Sequence, residues 1–307
     1  MIRRLKLWVG GSIFAAFSLF FPVVHAAEPV TIDPLPDTLL VKIHGEEFTV
    51  LHYGPALPKP YFWPVRGLGG AILTRPIEPG QKEHPHHRGI WLAVDEVNDI
   101  QFWAEKSPIR TREIHAKSGN PGTIEMRNEW LAADGSPTLL ENTKVSIYPS
   151  RLVIYDISIA PPEGSTAIFN DTKEGFFGVR IAQSMREQEG GHVVNSEGKK
   201  TTAECWGQPA KWVDYTGIVD GQSYGVTLMD HPANFRPSRY HVRDYGLFSI
   251  SPFGEGAYQN NAELAKPLIL NSERPTLRMR YGLYVHQGDA SLGKVSDAYD
   301  AFVDATK

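Results

Sequence analysis

A single cysteine, Cys205, stands in 307 residues, so no intrachain disulfide can brace this fold. Its stability must come from an apolar core. Basic charge is not in excess either. The chain has 31 Lys+Arg against 35 Asp+Glu, a net charge of −4, so the positive footprint of a nucleic-acid binder is missing. After Val24 no apolar run is long enough to cross a bilayer. There is no phosphate loop, no dinucleotide glycine fingerprint and no Gly-x-Ser-x-Gly elbow. The sequence therefore offers no support for nucleotide cofactors or for ordinary serine hydrolysis.

What is present begins with a leader. Arg3, Arg4 and Lys6 precede an apolar run from Leu7 to Val24, and Val24-His25-Ala26 places small or apolar residues at the minus-three and minus-one positions. This is the pattern of a secretory signal peptide cut after Ala26, giving a signal at 1–26 and one domain at 27–307. An uncleaved anchor is the competing reading, and the Val-x-Ala site favours cleavage. No cysteine follows the run, which excludes a lipoprotein. Cleavage removes three positive charges, taking the net charge from −4 to −7. An exported chain without disulfides suits a bacterial periplasm, so periplasmic or secreted localisation is expected, with no membrane contact after cleavage.

The periodic segments run mostly with period two. Between Val145 and Ile159 two alternating runs flank Pro149-Ser150-Arg151, with Val153, Tyr155, Ile157 and Ile159 on one face, which predicts a hairpin. From Thr276 to His286 the residues Leu277, Met279, Tyr281, Leu283 and Val285 alternate with outward Arg278, Arg280, Tyr284 and His286. With 28 glycines and 23 prolines punctuating short strands, the chain reads as mainly β: a large antiparallel β-sandwich. One helix is predicted over about 291–303, where Leu292, Val295, Tyr299, Phe302 and Val303 recur at helical spacing after an Asp289/Ser291 cap.

The densest chemistry lies in His84-Pro85-His86-His87-Arg88-Gly89-Ile90-Trp91, with three of the eleven histidines. Imidazole titrates near neutral pH and so can move protons or ligate metals. Pro85 argues against a helix here. In extended geometry His84, His86 and Arg88 would share one face and His87 would point away. A solvated loop and a three-histidine metal site are the competing readings.

Four further stretches combine carboxylates, rings and cations. Trp91, Asp95 and Trp103 continue the histidine run, although each tryptophan taken singly reads better as core. Glu174 stands where a charged turn enters an apolar strand, and Glu204 lies beside Trp206. Cys205 reads as a small buried hydrophobe, having no activating partner in sequence. His241, Arg243 and Asp244 close the set, with His241 and Arg243 on one side of an extended segment and Asp244 on the other.

Pro60-Tyr61-Phe62-Trp63-Pro64-Val65-Arg66, the histidine run with Val97-Asn98-Asp99 and Phe102-Trp103, Asn195-Ser196-Glu197-Gly198 with Ala203-Glu204-Cys205-Trp206-Gly207, and His241-Val242-Arg243-Asp244-Tyr245-Gly246-Leu247-Phe248 together resemble the bacterial family labelled "methane oxygenase PmoA-like". The resemblance spans about residues 60 to 255. The membrane subunit of that name crosses the bilayer several times and this chain has no span after its leader, so methane oxidation is not expected. The resemblance implies instead a fold similar to the galactose-mutarotase-like supersandwich, in which a histidine and a carboxylate on a concave sheet face commonly act on a sugar.

The resulting expectation is an exported carbohydrate-active enzyme of the epimerase, lyase or hydrolase type. A histidine among His84, His86 and His87 would be the acid and Glu174 or Glu204 the base, with His241 a further catalytic candidate on the same face. Arg88 and Arg243 would hold substrate oxygens, and Trp91 or Trp103 would stack on the ring, with Asp95, Trp206 and Asp244 also contacting substrate. No cofactor is expected, and the partner is a carbohydrate or sugar-derived small molecule. A non-catalytic glycan-binding module and a metalloprotein combining the histidine run with His231 or His241 are the alternatives.

Overall fold

The computed structural model describes residues 28–305, so the leader lies outside the described residues. Two eight-stranded antiparallel sheets pack face to face. In spatial order the first holds Val30–Leu35, Thr38–Ile43, Glu46–His52, Tyr61–Val65, Ile90–Leu92, Phe177–Arg180, Leu247–Ser251 and Arg239–Val242. The second runs His192–Asn195, Trp212–Val219, Gln222–Asp230, Leu277–Gln287, Leu152–Ala160, Pro137–Ile147, Gly122–Leu131 and Ile109–Lys117. A small third sheet includes Ala167–Phe169 and Leu268–Leu270. This is the large antiparallel β-sandwich expected from the alternation.

The core follows from that alternation. Inward residues of both sheets meet as interlocked rings: Tyr155 lies 4.5 Å from Phe177 and Phe177 lies 6.0 Å from Tyr281, centroid to centroid. Burying such rings is the main favourable term available to a chain without disulfides. The predicted hairpin forms with Ile147 opposite Val153, and Arg151 takes a left-handed conformation in its turn. In Leu277–Gln287 the five predicted inward residues are buried. His286, read as outward, is buried as well, because its Nε2 lies 2.9 Å from the carboxylate of Asp214 and Gly293 packs over its ring.

The C-terminal helix spans Val295–Asp304, four residues shorter at its start than predicted. Asp289 accepts from the backbone N–H groups of Ser291 and Leu292, but it caps a turn preceding the helix, and Lys294 then adopts a left-handed conformation that restarts the chain. Leu292 is consequently 77% exposed instead of core-facing. Tyr299 and Phe302 pack on Leu152, Ile154 and Met229, on the outer face of the second sheet. Among the described residues no helix is long and apolar enough to cross a membrane.

Candidate active site on the outer face of the first sheet

Four neighbouring strands line up Trp91, Gly178, Ser249 and His241 as directly opposed residues. Opposed residues project to the same side of a sheet. Phe177, Val179, Phe248 and Ile250 point the other way into the core, so this row lies on the outer face. Gly178 is what lets the row close up: a Cβ there would come within 2.9 Å of Trp91 and 3.2 Å of Trp103. Three buried polar atoms of the row, Trp91 Nε1, Ser249 Oγ and His241 Nε2, have no hydrogen-bond partner among the described residues. Buried polar groups are normally paired, so three orphans in one row set this face apart from the rest of the sheet.

The histidine run folds over one end of this row, but not as an extended segment. His84 is left-handed and the N–H of His87 donates to the carbonyl of His84 at 3.1 Å, closing a turn through Pro85 and His86. All three rings therefore converge instead of alternating. His84 and His87 stack at 4.7 Å, and His86 meets His87 edge-on at 4.5 Å. His87 in turn lies flat on Trp91 at 5.3 Å. Gly89 permits this entry into the Trp91 strand, because it has positive φ and a Cβ would fall 2.0 Å from the carbonyl oxygen of Phe62. Among the described residues no group of three or more His, Cys, Asp or Glu is arranged to hold a metal ion, and His231 packs instead on Phe302 of the C-terminal helix.

Arg180 continues the Gly178 face and is buried. Its guanidinium donates to Glu83 at 3.0 Å, covers the ring of Tyr245 at 4.7 Å and lies 3.5 Å from His87 Nδ1. A guanidinium can only donate, so His87 Nδ1 accepts and its ring proton sits on Nε2. Burial, then the neighbouring His86 and Arg180, holds His87 far below the usual imidazole range. Burial, followed by the charge of Lys59, lowers His86 to about 4.

At the other end, His241 Nδ1 lies 3.3 Å from the carbonyl oxygen of Lys173. A carbonyl only accepts, so Nδ1 carries the proton and the unpartnered Nε2 carries a lone pair. Burial, reinforced by Arg243, lowers this histidine to about 3, so it is neutral at physiological pH. Glu174 stands beside it, with Oε2 3.7 Å from Nδ1 and a side chain 31% exposed. Burial first, and then the charge of Asp95, pushes the Glu174 carboxyl above the usual range. Asp95 is itself raised by burial and by Glu96, and its backbone N–H donates to the carbonyl of Glu174. Trp206 meets His241 edge-on at 6.1 Å with Arg243 over its indole, and Tyr258 donates to the same Lys173 carbonyl at 2.7 Å.

Several expected residues are engaged elsewhere. Arg88 forks onto Glu105, with contacts at 3.0 and 3.3 Å, and Glu105 also takes the buried ammonium of Lys59 at 2.6 Å. Its charge is thus committed to the support of the histidine turn. Glu204 accepts from the backbone N–H of Lys200 at the start of a short helix, and Asp244 accepts from Gln188. Trp91 and Trp103 are 2% and 3% exposed, so neither presents a face to a sugar. Half-buried rings on this side include Trp206 and Tyr245 beside His241 and the histidine turn, and Trp63 further along the sheet. Cys205 is buried and its thiol is pushed up to about 12 by burial, which makes it inert.

Sequence reasoning missed Arg180, Ser249, Tyr245, Tyr258, Lys59 and Glu105. The period-two reading of Phe177–Arg180 could have placed Arg180 beside Gly178 on one face. The pairing of Ser249 with His241 and Gly178 depends on strand order and had no local signal.

The model of a family described as a family of unknown function, DUF6807, matches residues 38–300. The chain belongs to that family. No curated protein matches. The PmoA-like resemblance rests on the sequence motifs alone. Among solved structures, an α-galactosidase from Lactobacillus brevis aligns at 8% identity and a TM-score of 0.47, over 90% of this chain and 42% of that one. A GH36 α-galactosidase from Geobacillus stearothermophilus aligns at 9% and 0.43, over 84% and 40%. A galactose 1-epimerase from Lactobacillus acidophilus aligns at 7% and 0.41, over 81% and 97%. The chain spans about two fifths of the length of the two galactosidases. The fold class expected from the sequence, a large antiparallel β-sandwich, is carried by the two eight-stranded sheets themselves.

Proposed function

We propose that this DUF6807 chain is an exported carbohydrate-active enzyme that moves a proton on a sugar bound over the Trp91–Ser249–His241 row. One observation carries the reading: a donor (Trp91 Nε1), a hydroxyl (Ser249 Oγ) and a lone pair (His241 Nε2), all buried and unpartnered, lie in register across adjacent strands. A polyhydroxylated ligand, whose hydroxyls both donate and accept, is the chemistry that matches a donor, a hydroxyl and a lone pair in one row. Trp206 and Tyr245 flank the row, with Arg243 over the indole and His84 stacked on the phenol, so the exposed Arg243 stands as a cation at the rim.

The acid role moves from the histidines, where the sequence put it, to Glu174. His87 and His241 are both neutral at physiological pH and so are poor acids, while the raised carboxyl of Glu174 holds its proton longer than an ordinary glutamate. Glu174 donates to a sugar oxygen, and the lone pair of His241 Nε2, too weak a base at about 3 to take up a proton, accepts a hydrogen bond from a substrate hydroxyl. Epimerase, lyase and hydrolase reactions all use such an acid at a sugar oxygen. Export rests on the basic, apolar and Val-x-Ala pattern of residues 1–26, and N-terminal sequencing of the protein recovered from cells tests it.

The test of function is product analysis by proton NMR with mono- and oligosaccharides, on wild type, His241→Ala and Glu174→Gln. Turnover abolished by both substitutions is the expected result. Turnover that survives His241→Ala would contradict the assignment, and sugar binding without turnover in wild type would establish a glycan-binding module instead.

A further inference from the structure

The outer face of the second sheet, on the opposite side of the sandwich from His241, carries a second polar concavity. Along Leu152–Ala160 the outward residues change character. Leu152 and Ile154 lie beneath the C-terminal helix, whereas Asp156 and Ser158 line an open cleft of about 470 Å³. That volume is within the range of small-molecule sites, about 300–1,000 Å³. Its wall, the loop around Asn234, is tied to the floor: Asn234 donates to the carbonyl of Arg280 at 2.9 Å, accepts from its N–H at 2.8 Å, and donates to Asp230 at 2.7 Å.

Most of the charge in the cleft is already matched. Arg127 pairs with Glu113 at 2.9 Å, Lys144 with Glu125 at 3.7 Å, and Arg280 with Asp156. Arg278 is the exception. It lines the cleft, is exposed, and has no ion pair among the described residues. Its cross-strand neighbours are Ser158 and then Asn142, so a free guanidinium, a hydroxyl and a carboxamide stand in one row. Neighbouring strands are about 4.8 Å apart, which makes the row roughly 10 Å wide, the length of one or two sugar units. Among the described residues no Trp, Tyr or Phe lines the cleft, so a ligand is gripped at its polar edges instead of being stacked.

We propose that this cleft is a second binding site, for a small hydroxylated carboxylate such as a uronic acid unit. The Arg278 guanidinium pairs with the carboxylate in its planar fork, and Ser158 and Asn142 take hydroxyls. With these three pairs internal, Arg278 is the cation left to be matched among the described lining residues, which favours an acid over a neutral sugar. The site does not depend on the His241 centre.

Isothermal titration calorimetry of the mature chain with galacturonate, glucuronate, galactose, glucose and inorganic phosphate tests it, on wild type, Arg278→Gln, Ser158→Ala and His241→Ala. Uronate affinity is expected to fall about tenfold or more in Arg278→Gln and several-fold in Ser158→Ala, with unchanged melting midpoints, and to be unaffected by His241→Ala. Neutral sugars bind at least about tenfold more weakly than uronates at this site. Uronate binding that survives Arg278→Gln, that is lost in His241→Ala, that is matched by phosphate, or that is absent in wild type would overturn the proposal.

Discussion

The indole of Trp91 lies across Gly178 with no room for a methyl group between them, since a Cβ on Gly178 would stand 2.9 Å from Cζ2. The contact fixes where the Trp91 N–H points, and so the geometry of the polar row. Gly178→Ala is expected to cost about 1–3 kcal/mol through overpacking, partly offset by the strand preference of alanine over glycine. It should also weaken sugar binding, because the indole must tilt. Denaturant melts and calorimetry check both, and a variant that binds normally would show that the row tolerates displacement.

Lys59 supports the histidine turn from beneath. Its ammonium is 1% exposed, donates to Glu105 at 2.6 Å and to the carbonyl of His86 at 2.8 Å. Lys59→Met is expected to destabilise the fold by about 3 kcal/mol at neutral pH, because the carbonyl of His86 loses its donor and Glu105 keeps only Arg88. Burial lowers Lys59 to about 8 from its ordinary 10.5, against the opposing pull of Glu105. Between those two values the unfolded chain binds more protons at this site than the folded one, so stability from this group rises with pH from about 8 to 10.5. The difference between wild type and Lys59→Met in urea melts should therefore widen from pH 7.5 to pH 10. A constant difference would mean that Lys59 keeps an ordinary pKa.

The fold was largely legible because half-buried strands write their alternation directly into the sequence. Val153 to Ile159 and Leu277 to Val285 name their inward faces without help from neighbours. The site was legible by residue type and much less by arrangement. His84, His86, His87, Glu174 and His241 stood out as chemistry, but the left-handed His84 closes a turn that no alternation rule contains. Arg88, the obvious cation, is consumed by Glu105, while Arg180, hidden in an apolar run, is the cation that touches His87. Such exchanges depend on contacts 17 and 93 residues apart in sequence, which local pattern does not carry.

Glu174 sets the expected pH profile. Its carboxyl is raised, so the protonated acid required at the sugar oxygen is lost as pH climbs through that raised value, and activity falls on the alkaline side. His241 stays neutral until pH approaches about 3, so its Nε2 lone pair is kept across the assayed range and adds no acid-side loss. Initial rates between pH 4 and 9 check this. A profile that rises with pH would return Glu174 to the role of base.

Ser249→Ala tests the central claim most directly, with thermal melting and sugar calorimetry performed on the same sample. The hydroxyl is buried and unpartnered, so removing it relieves a desolvation cost and should leave the melting midpoint unchanged or raised. If the row exists to hold substrate hydroxyls, the same change should weaken sugar binding about fivefold or more. A lowered midpoint with undiminished sugar affinity would contradict the account and make the row part of the scaffold.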